Sequence, residues 1–176
     1  MSVIYRGSRK HVIDWLARPA FFPELIAMAA PASCRPPPSS VWMPMGADAD
    51  AEARLEVFGP REFPGHPAWR ELTTWWLSHS AGANTANWDI AASCDVEGKP
   101  GLILVEAKAN IPELGRAGKP ISPDASKNSQ ENHERIGHAI AEARTGLSTV
   151  KLGIAISHAS QYQRSNRLAF ARNSPP

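Results

Sequence analysis

The sequence has only two cysteines, Cys34 and Cys94, far apart in the chain and with no CxxC or Cys/His cluster around either. That spacing excludes a disulfide scaffold or a zinc module and fits a reducing compartment. No run of 18 apolar residues occurs, so nothing is expected to span a membrane. Arg6, Arg9 and Lys10 precede the apolar stretch AFFPELIAMAA, in the order of a secretory leader. Arg18, Pro19, Pro23 and Glu24 interrupt it, so no leader is expected there and the cytoplasm is the expected compartment. Charge of one sign does not dominate either, for the net charge is only +2. Internal repeats are absent.

What is present suits one globular domain. The 176 residues are 43% hydrophobic and 20% charged, enough for a real core and too few for two ordinary domains. The charge is unevenly spread. Residues 127–176 hold seven Lys/Arg against three Asp/Glu, whereas 61–126 hold six against eight. An acidic middle beside a basic end is what a site needing both a cation and a polyanion requires.

Along the chain, HVIDWLARP reads as a short helix or an adaptable arm, and PASCRPPPSS (31–40) reads as a linker. VWMPM and ARLEVFG (53–59) look like two short strands, the second alternating at Leu55 and Val57. From residue 66 the signals sharpen. HPAWRELTTWWLSHS opens with Pro67, a favoured first helical residue, and carries Trp69, Leu72, Trp75 and Trp76 at helical spacing. Tryptophans so spaced belong to a core rather than to a base-stacking platform. NWDIAASCDVE and GLILVEAKA predict two strands joined at the turn GKPG, followed by a polar loop over 110–129. ENHERIGHAIAEARTGL predicts a helix with Ile136, Ala139, Ile140, Ala143 and Leu147 on one side. KLGIAIS reads as a buried strand and ASQYQRSNRLAFAR as a last helix. The expected architecture is α/β, a mixed central sheet with flanking helices.

One triplet stands out by position. Glu-x-Lys alone arises by chance about every other domain of this size. Glu97-Gly98-Lys99 is such a copy, solvated in a turn. Glu106-Ala107-Lys108 instead ends the run Leu102–Val105, expected to be buried on both faces. Charges there cost several kcal/mol of desolvation unless a divalent cation and a phosphate compensate. Alternation puts residues 106 and 108 on one face, about 6–7 Å apart. If GKPG is a four-residue loop, residue 93 faces 106 and 91 faces 108. Asp89 then shares their face, just beyond the position opposite Lys108. Asp95 shares the parity but falls at the turn end, which makes Asp89 the better metal ligand. A slip by one residue would reverse this parity.

Asp89, the hairpin and VEAKA together resemble the PD-(D/E)XK nuclease superfamily over roughly residues 66–172 in element order. The resemblance implies a restriction-endonuclease-like αβββαβ-type core over 61–176, with residues 1–60 as an N-terminal extension. It implies a nuclease that hydrolyses DNA phosphodiester bonds with Mg²⁺ or Mn²⁺, held by Asp89, Glu106 and the backbone carbonyl of Ala107. Lys108 would orient and activate the attacking water. Trp88 precedes Asp89 where the family often has proline. The alternative expectation is a catalytically inactive member of the same fold that binds nucleic acid or a partner, and a homodimer is among the expected assemblies.

Further candidates lie outside the hairpin. Glu71, on the tryptophan helix, matches a helical Glu that sometimes completes the metal site in the family, and Glu113 is a weaker one. Gln161, Gln163, Arg164 and Arg167 open the last helix. Its N-terminus and guanidinium groups favour phosphate, with Arg164 and Arg167 on one face. Lys127, Arg135 and Arg144 add positive charge and read as solvated. His133, His138 and His158 show no metal-ligand arrangement.

Overall fold

A computed structural model describes residues 4–29, 34–37, 41–66, 68–81, 83–111, 115, 117–150 and 152–174. Pro67 and Glu113 lie outside the described residues, so the expectations placed on them have no structural counterpart. The described chain falls into two compact units. One takes residues from Met1–Pro64 and Asn87–Glu113, and the other from Gly65–Ala86 and Leu114–Pro175. Helices and strands are both present, in keeping with an α/β reading at its coarsest, but every strand pair among the described residues is antiparallel, so the expected mixed sheet is not found there. Among the described residues no helix is long and apolar enough to cross a membrane.

The first unit opens with helices α1 (Gly7–Leu16) and α2 (Phe21–Ala29). Val12, Ile13 and Leu16 are buried from α1, and Phe21, Phe22, Leu25 and Ile26 from α2, each set recurring at helical spacing. Strands β1 (Cys34–Arg35) and β2 (Trp42–Met43) follow, so part of the expected linker is a short strand. Next come β3 (Ala53–Arg54) and helix α3 (Leu55–Glu62). The strand expected over 53–59 is therefore two residues of strand and then a helix. Leu55, Phe58 and Gly59 are buried while Val57 is exposed, an i, i+3, i+4 pattern rather than an alternation of two.

The centre of the unit is strand β5 (Ile90–Val96), preceded by β4 (Asn87–Trp88) and followed by β6 (Lys99–Val105). One edge of β5 pairs antiparallel with β6, and the other is shared by β1 and β2. β3 and β4 form a separate two-stranded ribbon, so the expected strand over 87–97 is broken at Asp89, where the chain leaves one ribbon for the other sheet. The register pairs Val96 with Lys99 and Ile90 with Val105. The loop is thus the two residues Glu97-Gly98, both with positive φ (55° and 82°), as a type I′ hairpin turn requires. The expected four-residue loop is corrected by four positions in register, an even number that preserves the parity of every side chain.

One face of the hairpin, carrying Ile90, Ala92, Cys94 and Ile103, packs with the apolar residues of α1 and α2 into one core. Trp15, Phe21, Phe22 and Trp42 add an aromatic group, with Phe22 and Trp42 stacked at 5.3 Å. The run Leu102–Val105 is not buried on both faces. Ile103 is buried, whereas Leu102, Leu104 and Val105 are half-buried, because β6 has a strand partner only on its β5 side among the described residues.

The second unit is helical: α4 (Ala68–Trp76), α5 (Lys127–Val150) and α6 (Tyr162–Asn173). Trp69, Leu72, Trp76, Ile136, Ala139, Ile140, Ala143, Ala169 and Phe170 are buried, and Trp76 meets Phe170 edge-on at 5.3 Å. Trp75 is half-buried and donates its indole N–H to Glu142 at 2.8 Å. Asn132 exchanges hydrogen bonds with the backbone of His79, both at 2.7 Å. The strand expected at KLGIAIS does not form over its described residues, and the nearest strand-like pairing is an isolated bridge between Ala117 and Ser160. Ile156 is nevertheless buried, so the apolar run fills a core as irregular chain.

Candidate functional site

The site is built where β4 bends into β5. The β5–β6 ladder ends at the pair Ile90–Val105, and Asp89 and Glu106 are the residues that adjoin that last pair on the two chains. Ala107 packs against the core below the sheet, which leaves Glu106 and Lys108 to the other face by alternation. The Ala107 N–H donates to Asp89 Oδ2 at 2.8 Å, tying the acid to the chain just beyond β6. Lys108 Nζ donates to Glu106 Oε1 at 2.6 Å, with side chains 23% and 21% exposed. Asp89, Glu106 and Lys108 therefore share one local neighbourhood.

The electrostatics of Asp89 reflect that crowding. Burial lifts its carboxyl above the ordinary range, the Ala107 N–H opposes the rise, and the charges of Glu106 and Glu52 add to it; Lys108 pulls the other way. A half-buried carboxylate that feels other negative charges binds a cation or a proton more readily than one in water.

Among the described residues no group of three or more His, Cys, Asp or Glu side chains is gathered closely enough to hold a metal ion. Mg²⁺ does not need one, since it is commonly held by one or two carboxylates while keeping several waters and taking substrate phosphate oxygens. Asp89 and Glu106, with burial disfavouring the bare charge on Asp89, fit such an ion or Mn²⁺. At Ala107 it is the N–H that reaches Asp89.

The remaining candidates belong to the second unit. Glu71 is exposed on α4. Gln163 and Arg164 are exposed on α6, and Gln161 precedes that helix in a left-handed conformation with φ 47°. Arg167 is half-buried and donates to Asn166 Oδ1 at 3.1 Å. His133 and His158 lie edge to face with ring centroids 4.2 Å apart.

Sequence reasoning missed Glu52, Asn87 and Arg9. Asn87 Nδ2 donates to Glu52 Oε2 at 3.2 Å, and Arg9 Nη1 donates to Glu52 Oε1 at 3.1 Å. Asn87 shares parity with Asp89, a signal that was available. Nothing in the spacing announces Glu52. No family model, curated protein or solved structure matches the chain.

Proposed function

We propose that this chain is a metal-dependent nuclease of PD-(D/E)XK type that hydrolyses DNA phosphodiester bonds, with Asp89, Glu106 and Lys108 as its working residues. The observation that supports this reading is the pair of contacts just beyond the β5–β6 ladder, Ala107 N–H to Asp89 Oδ2 at 2.8 Å and Lys108 Nζ to Glu106 Oε1 at 2.6 Å. Asp89 and Glu106 would hold Mg²⁺ or Mn²⁺. When bound, such an ion lowers the pKa of a water and stabilises charge developing on phosphorus. Asp89 is oriented for that task by the Ala107 N–H. Lys108, bonded to Glu106, would orient the attacking water and balance the phosphate. Gln161, Gln163, Arg164 and Arg167 are proposed as phosphate contacts, since guanidinium groups and a helix N-terminus both favour anions.

A second reading has its own support. Lys108 is neutralised by Glu106, an arrangement that also suits a silent nucleic-acid-binding member of the fold. One comparison separates the two. Plasmid and linear DNA are incubated with Mg²⁺ or Mn²⁺ and the wild type, Asp89→Ala or Lys108→Ala protein. The nuclease reading expects cleavage by the wild type and a loss of about 100-fold or more in each variant, the scale of removing one charge-stabilising group. DNA retention without cleavage in all three supports the binder and removes the enzyme.

A further inference from the structure

Residues 106–108 are irregular chain just past the end of β6. Within them Lys108 Nζ donates to Glu106 Oε1 at 2.6 Å, and the N–H of the intervening Ala107 goes to Asp89 Oδ2 at 2.8 Å. Two acids and one ammonium thus converge on a three-residue segment. The lysine and glutamate side chains are only 23% and 21% exposed, so water screens their attraction little. Lys127 and Glu131 on α5 form the opposite kind of pair, 3.6 Å apart with the lysine 87% exposed. A lysine ammonium is a compact point charge on a flexible stem, and this one sits on an oxygen with which Glu106 would hold a cation. Mg²⁺ takes its oxygens at about 2.0–2.1 Å in near-ideal octahedral geometry. An ammonium bonded to the same oxygen would repel it at short range.

We infer that Lys108 competes with a divalent cation for Glu106, so that cation binding breaks the Lys108–Glu106 bond and frees the ammonium for the attacking water and the phosphate. The inference rests on the metal-site reading above and deepens it. It gives the ion pair that also suits a silent protein a part in a working one. Asp89 and Glu106 bring two negative charges and Lys108 returns one, so the pair halves the charge that a cation meets. The effect is mutual by linkage, for whatever affinity the pair costs the cation, the bound cation takes from the pair. Removing the ammonium is therefore expected to tighten cation binding by about tenfold, the low end for a hydrogen bond between charged groups.

The test reads cation affinity and lysine reactivity rather than cleavage. Mn²⁺ is titrated into the full chain by calorimetry and by loss of the free-Mn²⁺ paramagnetic signal. The proteins are the wild type, Asp89→Asn, Lys108→Met, Lys108→Arg and Lys99→Met, with a thermal melt of each. The expected result is Mn²⁺ bound by the wild type, lost in Asp89→Asn and bound about tenfold more tightly in Lys108→Met. Affinity stays near the wild-type value in Lys108→Arg, which keeps the charge, and in Lys99→Met, which removes an exposed lysine of the same hairpin. A second measurement needs no variant. The wild type is acetylated by an N-hydroxysuccinimide ester with and without saturating Mn²⁺, and each lysine is followed by mass spectrometry. Lys108 is expected to react several times faster with Mn²⁺ bound, while Lys99 is unchanged; this arm decides alone if Lys108→Met does not fold. Unchanged or weaker binding in Lys108→Met, or unchanged acetylation of Lys108, overturns the inference and leaves the metal site standing. Equal tightening in Lys108→Arg or Lys99→Met also overturns it, since the gain would not come from removing the charge at Glu106. A wild type that binds no Mn²⁺, or binding that survives in Asp89→Asn, sinks the site itself and the inference with it.

Discussion

Burial pushes the His158 imidazole below its ordinary range, and the nearby His133 and Lys119 push it further the same way. The unfolded chain therefore takes up a proton at this residue more readily than the folded one. Its contribution to stability is complete above about pH 6.5, the unfolded value, and is lost as pH falls through that value toward the lowered folded pKa. His158→Phe removes the titration, and with it a ring nitrogen (Nε2) buried without a hydrogen-bond partner. Urea melts at several pH values between 7.5 and 5 should show a shallower acid loss in the variant. The difference in slope stays below the one-proton ceiling of about 1.4 kcal/mol per pH unit, since solvent screens a partly exposed group. Identical slopes would show that His158 is no more shifted than a free histidine. At this same scale the nearness of Asp89 to the Glu106–Lys108 segment was readable in the sequence, and the contacts of Glu52 were not. The choice of Asp89 over Asp95 depended on parity and on distance from the turn, and both survive a four-residue error in register. Glu52 meets Asn87 and Arg9 through tertiary folding over long sequence separations, and no local periodicity encodes such a meeting.

Whole elements were legible where one period dominated. The helix expected over 131–147 is a single α5 of 24 residues, with Ile136, Ala139, Ile140 and Ala143 of the anticipated face buried and Leu147 only half-buried. ARLEVFG misled because Leu55 and Val57 satisfy an alternation of two while Leu55, Phe58 and Gly59 satisfy the helical period, and seven residues cannot separate them. Two substitutions distinguish these patterns in solution. Phe58→Ala is expected to cost about 3–5 kcal/mol, as for a fully buried ring, and Val57→Ala no more than about 0.5 kcal/mol at its exposed position. Near-equal losses for Val57→Ala and Leu55→Ala would favour a strand instead. The hairpin offers a second measurement. Gly98 has φ 82° and open space where a Cβ would stand, so Gly98→Ala costs only what the left-handed backbone costs, about 1–2 kcal/mol. Glu97 adopts φ 55° with a side chain, and Glu97→Asn should recover about 0.5 kcal/mol because Asn tolerates that region better. Denaturant midpoints moving in the same direction for both variants would contradict a two-residue turn.

At the scale of the molecule, the sequence suggested an N-terminal extension before a core beginning near residue 61, whereas contacts group Met1–Pro64 with the hairpin of Asn87–Glu113. Composition could not reveal that grouping, because it depends on which apolar face meets which. The faces of α1 and α2 are amphipathic and could cover any apolar partner; the structure gives them Ile90, Ala92, Cys94 and Ile103. β1 and β2 likewise have strand partners only on β5 among the described residues. A fragment of residues 1–64 therefore keeps the contacts among α1, α2 and Trp42 but lacks the hairpin residues that complete their core and the β5 edge on which β1 and β2 pair. It is expected to lack a cooperative melt and to bind a hydrophobic dye, while a fragment of residues 1–113, which restores β5 and β6, regains the transition. Burial of a side chain such as Phe or Leu stabilises by about 1.5–3 kcal/mol, and losing four at once is comparable to the 5–15 kcal/mol that a domain has to spare. Circular dichroism melts and amide dispersion in two-dimensional NMR spectra of the two fragments decide the matter. A sharp transition in the shorter fragment would mean that the N-terminal helices form a core of their own, and that the hairpin is an addition to it rather than its centre.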